Sequence, residues 1–174
     1  VAVGSSGTAL TLGAVGLLAL AGAMRRRSGS SNTPVTRFNG DPDDPRFDLL
    51  DASGRPVPGS YIQGHVAEAP LLRRMIVDET WVANEEHEAS QDPIESLALP
   101  PGPLGYAAWL ETSQLGAGHG STLWHALRDY LREQGITDVY TTATPHAAPF
   151  WRRMGFVDHP WNAGHLLFLH QQIG

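Results

Sequence analysis

The chain has 174 residues, with 18 acidic side chains against 12 arginines, no lysine, no cysteine and a formal net charge of −6. The length suits one domain with an appendage, and the lack of cysteine excludes a disulfide framework, a thiol nucleophile and a thiolate metal site. Residues 35–174 hold all 18 acids and nine of the arginines, a formal −9, which disfavours nucleic acid and suits a cationic acceptor such as an amine.

Residues 1–24 carry no charged side chain, Thr8 to Met24 is apolar or small throughout, and Arg25, Arg26 and Arg27 follow. Residues 1–27 therefore read as a transmembrane segment with a basic flank, 8–24 lying near the lower limit of roughly 17 residues for a span. The arginines would place the following domain on the cytoplasmic side of an inner membrane. The competing reading is a Gly/Ala-rich tail; a cleaved signal peptide fits poorly because the charges follow the apolar run. Residues 28–34 read as a polar linker. Val1 is compatible with a GTG start or with the edge of a longer phage or membrane protein. The wealth of Ala, Gly, Arg and Pro points to a GC-rich bacterial or phage genome.

Two short strands are expected at Phe47–Asp51 and Tyr61–Val66, with a turn-rich stretch from Ala52 to Gly59 between them. Glu68–Ser90 reads as a helix with Leu71, Leu72, Met75, Ile76 and Ala83 near one face and Trp81 as a further candidate for it, a strand at Met75–Val77 being the alternative. Leu104–Leu110 reads as a strand running into Leu115-Gly116-Ala117-Gly118-His119-Gly120-Ser121. A helix opens directly from that turn, with Leu123, Trp124, Leu127, Tyr130 and Leu131 at helical spacing. Such a glycine turn bares the amides of a helix N-terminus and suits an anion, above all phosphate. No P-loop or G-x-G-x-x-G spacing is present. A strand at Asp138–Ala143 and a last strand at Leu166–Leu169 complete the pattern.

Downstream of the glycine turn stand Thr144, Ala147, Phe150, Trp151, Gly155 and Phe156. The two segments in this order resemble the acetyl-CoA-binding half of the GNAT superfamily of N-acyltransferases over about 110–156. Gly116, Gly118 and Gly120 fall on that family's pyrophosphate-loop glycines, and the downstream residues on its closing pattern. The resemblance implies a mixed, mostly antiparallel α/β sheet flanked by helices across 35–174, and an acyltransferase domain using acetyl-CoA as co-substrate. It also implies direct attack by an amine-bearing acceptor, small molecule or protein.

Under that resemblance the donor is held by Leu110, Gly116, Ala117, Gly118, His119, Gly120 and Ser121. The strand before the loop splays from the next strand to expose backbone. Glu111 is the favoured base, with Glu79, Glu85 and Glu86 behind it on a solvated helix face. Trp151 stands where many relatives carry an acidic Tyr, and an indole N–H is no acid at neutral pH. His146 is the replacement candidate for the acid, with Tyr140 and a water as rivals. The family order places two helices before a three-strand meander, from which the front of this chain departs. No metal is expected. The alternative reading is a non-catalytic CoA-binding or interaction domain.

Overall fold

A computed structural model describes residues 35–174. The expected anchor at 8–24, its basic flank and the linker lie outside the described residues. Among the described residues no helix is long and apolar enough to cross a membrane.

The chain runs β1 (Val35–Phe38), β2 (Arg46–Leu50), β3 (Pro56–Glu68), α1 (Ala69–His87), a single 3-10 turn (Ile94–Ser96) and β4 (Pro103–Glu111). It continues through α2 (His119–Glu133), β5 (Asp138–Ala143), α3 (Ala148–Arg153), β6 (Val157–Asp158) and β7 (Leu167–Gln172). One sheet of seven strands results, in the order β1-β2-β3-β4-β5-β7-β6. Every neighbouring pair is antiparallel except β4 with β5, which α2 connects. Three strands thus come first and one helix follows, instead of two helices before the meander.

The turn between β2 and β3 is shorter than the sequence suggested. The Asp51 carboxylate accepts the amides of Ser53 and Arg55 at 2.8 and 3.0 Å and closes the chain there. β3 begins already at Pro56, and the register against β2 shifts between Asp48 and Leu50. Pro58 therefore sits in a bulged stretch where the ladder asks for no N–H.

α1 starts with Pro in its first turn and stops at Glu88, whose φ of 49° breaks the helix. Its buried row is Leu72, Ile76, Thr80 and Asn84, while Leu71 and Trp81 are 55% and 58% exposed. Hydropathy misplaces this face because half of the row is polar. The Thr80 hydroxyl donates back to the Ile76 carbonyl at 2.9 Å, and the Asn84 amide donates to the Ala163 carbonyl at 3.2 Å.

Successive residues of the central strands alternate between two cores, as a pleated sheet requires. Leu104, Tyr106, Tyr140 and Phe168 join Leu72 and Ile76 under α1. Ala107, Val139 and Leu169 join Leu123, Trp124, Leu127 and Leu131 of α2. The helices therefore cover both faces of the sheet.

Candidate active site

The site begins where the parallel pair comes apart. β4 and β5 are in register only at Gly105 with Val139 and at Tyr106 with Tyr140. Past that point the two strands run on without pairing each other. The Thr141 hydroxyl donates to the Ala107 carbonyl at 2.8 Å and takes an acceptor that a continuing ladder would use. β4 also carries one extra residue: Gln63 pairs with Trp109 while Gly64 pairs with Ala107, so Ala108 is bulged. The bulge reverses the alternation, and Leu110 joins Ala107 on the α2 side. A cleft of about 750 Å³ occupies the resulting fork.

The glycine turn closes one end of the cleft. Gly116 and Gly118 have φ of 80° and 78°, and a Cβ at either position would meet nothing within 4 Å. Their backbone is open toward whatever lies in the cleft, and only glycine adopts this conformation without strain. α2 starts at His119, directly after Gly118. Its first amides lack intrahelical acceptors and carry the positive end of the helix dipole. The buried stripe of Leu123, Trp124, Leu127 and Leu131 fixes the helix against the sheet. Gly120 leaves room for Phe150 of α3, whose ring would lie 3.1 Å from an added Cβ.

Of the residues expected to hold the donor, Leu110, Gly116, Gly118, His119, Gly120 and Ser121 line the cleft and Ala117 does not. His146 lines it too, exposed at the rim. Glu111 does not: it is exposed, and its carboxylate lies beside Gly59 of β3. Tyr140 is buried against Phe168 and His170 on the α1 side, away from the cleft lining. Burial lifts its phenol to about 12. Trp151 lines the cleft but is mainly a core residue, 5% exposed and edge-on to Trp124 and Phe156.

Two lining residues were missed or misjudged by sequence reasoning. Arg153 of α3 supplies the one arginine of the lining, while its neighbour Arg152 pairs with Asp158 at 2.9 Å. Glu79, expected on a solvated face, instead lines the cleft. The Thr142 hydroxyl donates to its Oε1 at 2.7 Å and the Tyr106 hydroxyl donates to its Oε2. Burial raises the Glu79 carboxyl above its ordinary value, against the opposing effects of those two hydroxyls and of His65. Burial, with the charge of Glu79, pushes the Tyr106 phenol well up. Spacing from Leu72, Met75 and Ile76 does put position 79 on the inner face, which is the signal that could have found it. Glu85 and Glu86 are exposed, as expected. Among the described residues no group of three or more His, Asp or Glu side chains is placed to hold a metal ion.

No protein-family model matches the chain, and no curated protein matches it. Solved structures do. The chain is similar to FeeM, an N-acyl amino acid synthase from uncultured soil microbes, at 14% identity and a TM-score of 0.51 over 81% of this chain and 92% of that one. It is similar to arylalkylamine N-acetyltransferase 2 from Aedes aegypti at 8% identity and a TM-score of 0.50, over 74% and 73% of the two chains. An acetyltransferase of the GNAT family from Desulfovibrio desulfuricans matches at 10% identity and a TM-score of 0.45, over 76% and 71%. At such identities the likeness is one of fold. Residues 35–174 share a mixed, mostly antiparallel α/β fold with FeeM and with arylalkylamine N-acetyltransferase 2.

Proposed function

We propose that residues 35–174 form an acyl-CoA-dependent N-acyltransferase domain that passes an acyl group, acetyl in the simplest case, directly to an amine. The observation that carries this reading is the fork between β4 and β5 with the α2 N-terminus at its mouth. An acyl-CoA has a pyrophosphate, then an arm with two amides, then a thioester. The fork offers each an appropriate partner. Bare amides at the glycine turn, with Arg153 nearby, suit the pyrophosphate. Unpaired strand backbone suits the amides. From Tyr106 to Glu111 an extended strand covers roughly 16 Å, so the arm has a track toward the point where the strands part.

The thioester carbonyl would be polarised by backbone N–H on β4 near the point where the strands part, while the Leu110 backbone, closer to the glycine turn, would pair with the arm. His146 is the candidate proton donor to the leaving thiolate, because the Trp151 indole is no acid at neutral pH and Tyr140 lies away from the cleft lining. Trp151 also favours a second reading, in which the domain binds an acyl-CoA without turning it over. Thiol release from acetyl-CoA in the presence of primary amines separates the two.

The donor site is tested by calorimetry with acetyl-CoA. Gly118→Glu should weaken binding at least tenfold, about 1.4 kcal/mol, by placing a carboxylate among the amides. Gly118→Ala carries the same backbone strain at a φ of 78° without the charge, and should weaken binding less. Equal affinity in wild type and in a folded Gly118→Glu variant would remove the donor assignment.

A further inference from the structure

Position 79 holds a carboxylate at the end of the cleft where the two strands part. Tyr106 is the last residue of β4 in register with β5. Its hydroxyl bonds Glu79 and lies 2.8 Å from the Thr142 hydroxyl, and Thr142 in turn bonds Glu79 at 2.7 Å. Each carboxylate oxygen thus has one hydroxyl donor, from β4 and β5 respectively, while the helix α1 supplies the carboxylate. Glu79 and Thr142 both belong to the cleft lining. A carboxylate needs more than two donors to be saturated, so the free lone pairs of Glu79 are available to a donor entering the cleft. No arginine or lysine is paired with it among the described residues. A cationic ammonium group is the donor this arrangement lacks.

We propose that Glu79 accepts the ammonium proton of the amine acceptor, with Tyr106 and Thr142 as positioning residues. This rests on the acyltransferase reading and moves the base from Glu111 to α1. In the step, R–NH3+ hydrogen-bonds Glu79 and gives it one proton. The neutral nitrogen attacks the thioester carbonyl, the C–N bond forms, and the C–S bond breaks with its electron pair leaving on sulfur. The second nitrogen proton neutralises the thiolate, directly or through His146, and Glu79 returns its proton to solvent. The products are the amide and the free thiol.

The titratable groups facing Glu79 are Tyr106 from β4 and His65 from β3, the latter bonded to Asp44; Thr142 of β5 is neutral. Burial raises the carboxyl, and only the ionised form can take a proton. The rate should therefore fall on acidification, at a higher pH than for an ordinary glutamate. Tyr106→Phe removes a bond that lowers the Glu79 value, so this acid limb should move to still higher pH.

The test uses the full chain, acetyl-CoA and a primary-amine panel of an arylalkylamine, an amino acid and a short peptide. Acetyl-CoA affinity is read by calorimetry, and thiol release is followed from pH 5 to 9. Glu79→Gln should keep acetyl-CoA affinity within about twofold and lower thiol release roughly 10²-fold or more. Glu79→Asp should retain part of the rate, and Tyr106→Phe should shift the acid limb upward. If Glu79→Gln does not fold, the Glu79→Asp and Tyr106→Phe pH profiles decide, and an unmoved acid limb in both overturns the proposal. Wild-type release left intact in folded Glu79→Gln overturns it while leaving the acyltransferase reading in place. Wild type that binds acetyl-CoA but releases no thiol with any amine overturns both.

Discussion

Trp124→Ala is expected to lower the stability of the chain by about 3–5 kcal/mol, the range for deleting a fully buried large aromatic side chain. Trp124 is 0% exposed and lies 4.9 Å from Phe156 and 5.7 Å from Trp151, ring centre to ring centre. Three elements meet on it: α2, α3 and the segment after α3. Its loss opens a cavity beneath the helix whose first turn faces the cleft. A domain of this size commonly has about 5–15 kcal/mol in hand, so the variant sits near unfolding. The indole N–H has no hydrogen-bond partner among the described residues. Trp124→Phe therefore removes an unsatisfied donor as well as some volume, and should cost no more than about 1.5 kcal/mol. Urea unfolding followed by circular dichroism measures both. A loss below about 1 kcal/mol for Trp124→Ala would mean that this aromatic cluster does not hold α2.

Asn84→Ala should cost about 2–4 kcal/mol by a different route, the stranding of buried polar groups at roughly 1–3 kcal/mol each. The Asn84 side chain accepts the His165 amide at 2.7 Å and donates to the Ala163 carbonyl at 3.2 Å and to Gln91 Oε1 at 2.9 Å. It is the clasp between α1 and the segment that leads into β7. Asn84→Asp keeps the acceptor for His165 and loses the donor, so it should fall between wild type and Ala. Hydrogen exchange at the His165 amide reads the clasp itself. Unchanged protection in Asn84→Ala would show that neighbouring groups hold this segment instead.

The second half of the fold was far more legible in the sequence than the first. α2 and β5 announce themselves through a clean apolar stripe and a β-branched run: α2 opens directly from the glycine turn as expected, and β5 has the expected limits. The glycine turn was legible because positive φ at Gly116 and Gly118 demands glycine. β1 was missed because its side chains are largely exposed, which leaves no alternation to detect. Leu71 and Trp81 were placed inward because their apolar surface was taken as a sign of burial, whereas Thr80 and Asn84 occupy the inner row through hydrogen bonds. The bulge at Ala108 is a matter of register between two strands, and one strand's sequence cannot show it. That bulge separates the expected role of Glu111 from its observed place. Glu79 was ranked behind Glu111 for a related reason: a single carboxylate on a helix with Glu85 and Glu86 looks like solvent-facing charge until Tyr106 and Thr142 close over it.

The short parallel seam makes the seven-stranded sheet an unfinished one. Two register pairs join β4 to β5, and the edges beyond them face each other across a gap. An extended amide-bearing arm laid there acts as a partial strand, so occupancy should be felt as cooperativity between the two halves of the sheet. Those amides after Tyr106 and after Tyr140 that point into the gap, and not toward β3 or β7, should exchange rapidly in the free chain and slow together when the gap is filled. Unfolding should likewise become more concerted, with a melting temperature that climbs with ligand concentration. Recognition and the completion of the sheet are then the same event.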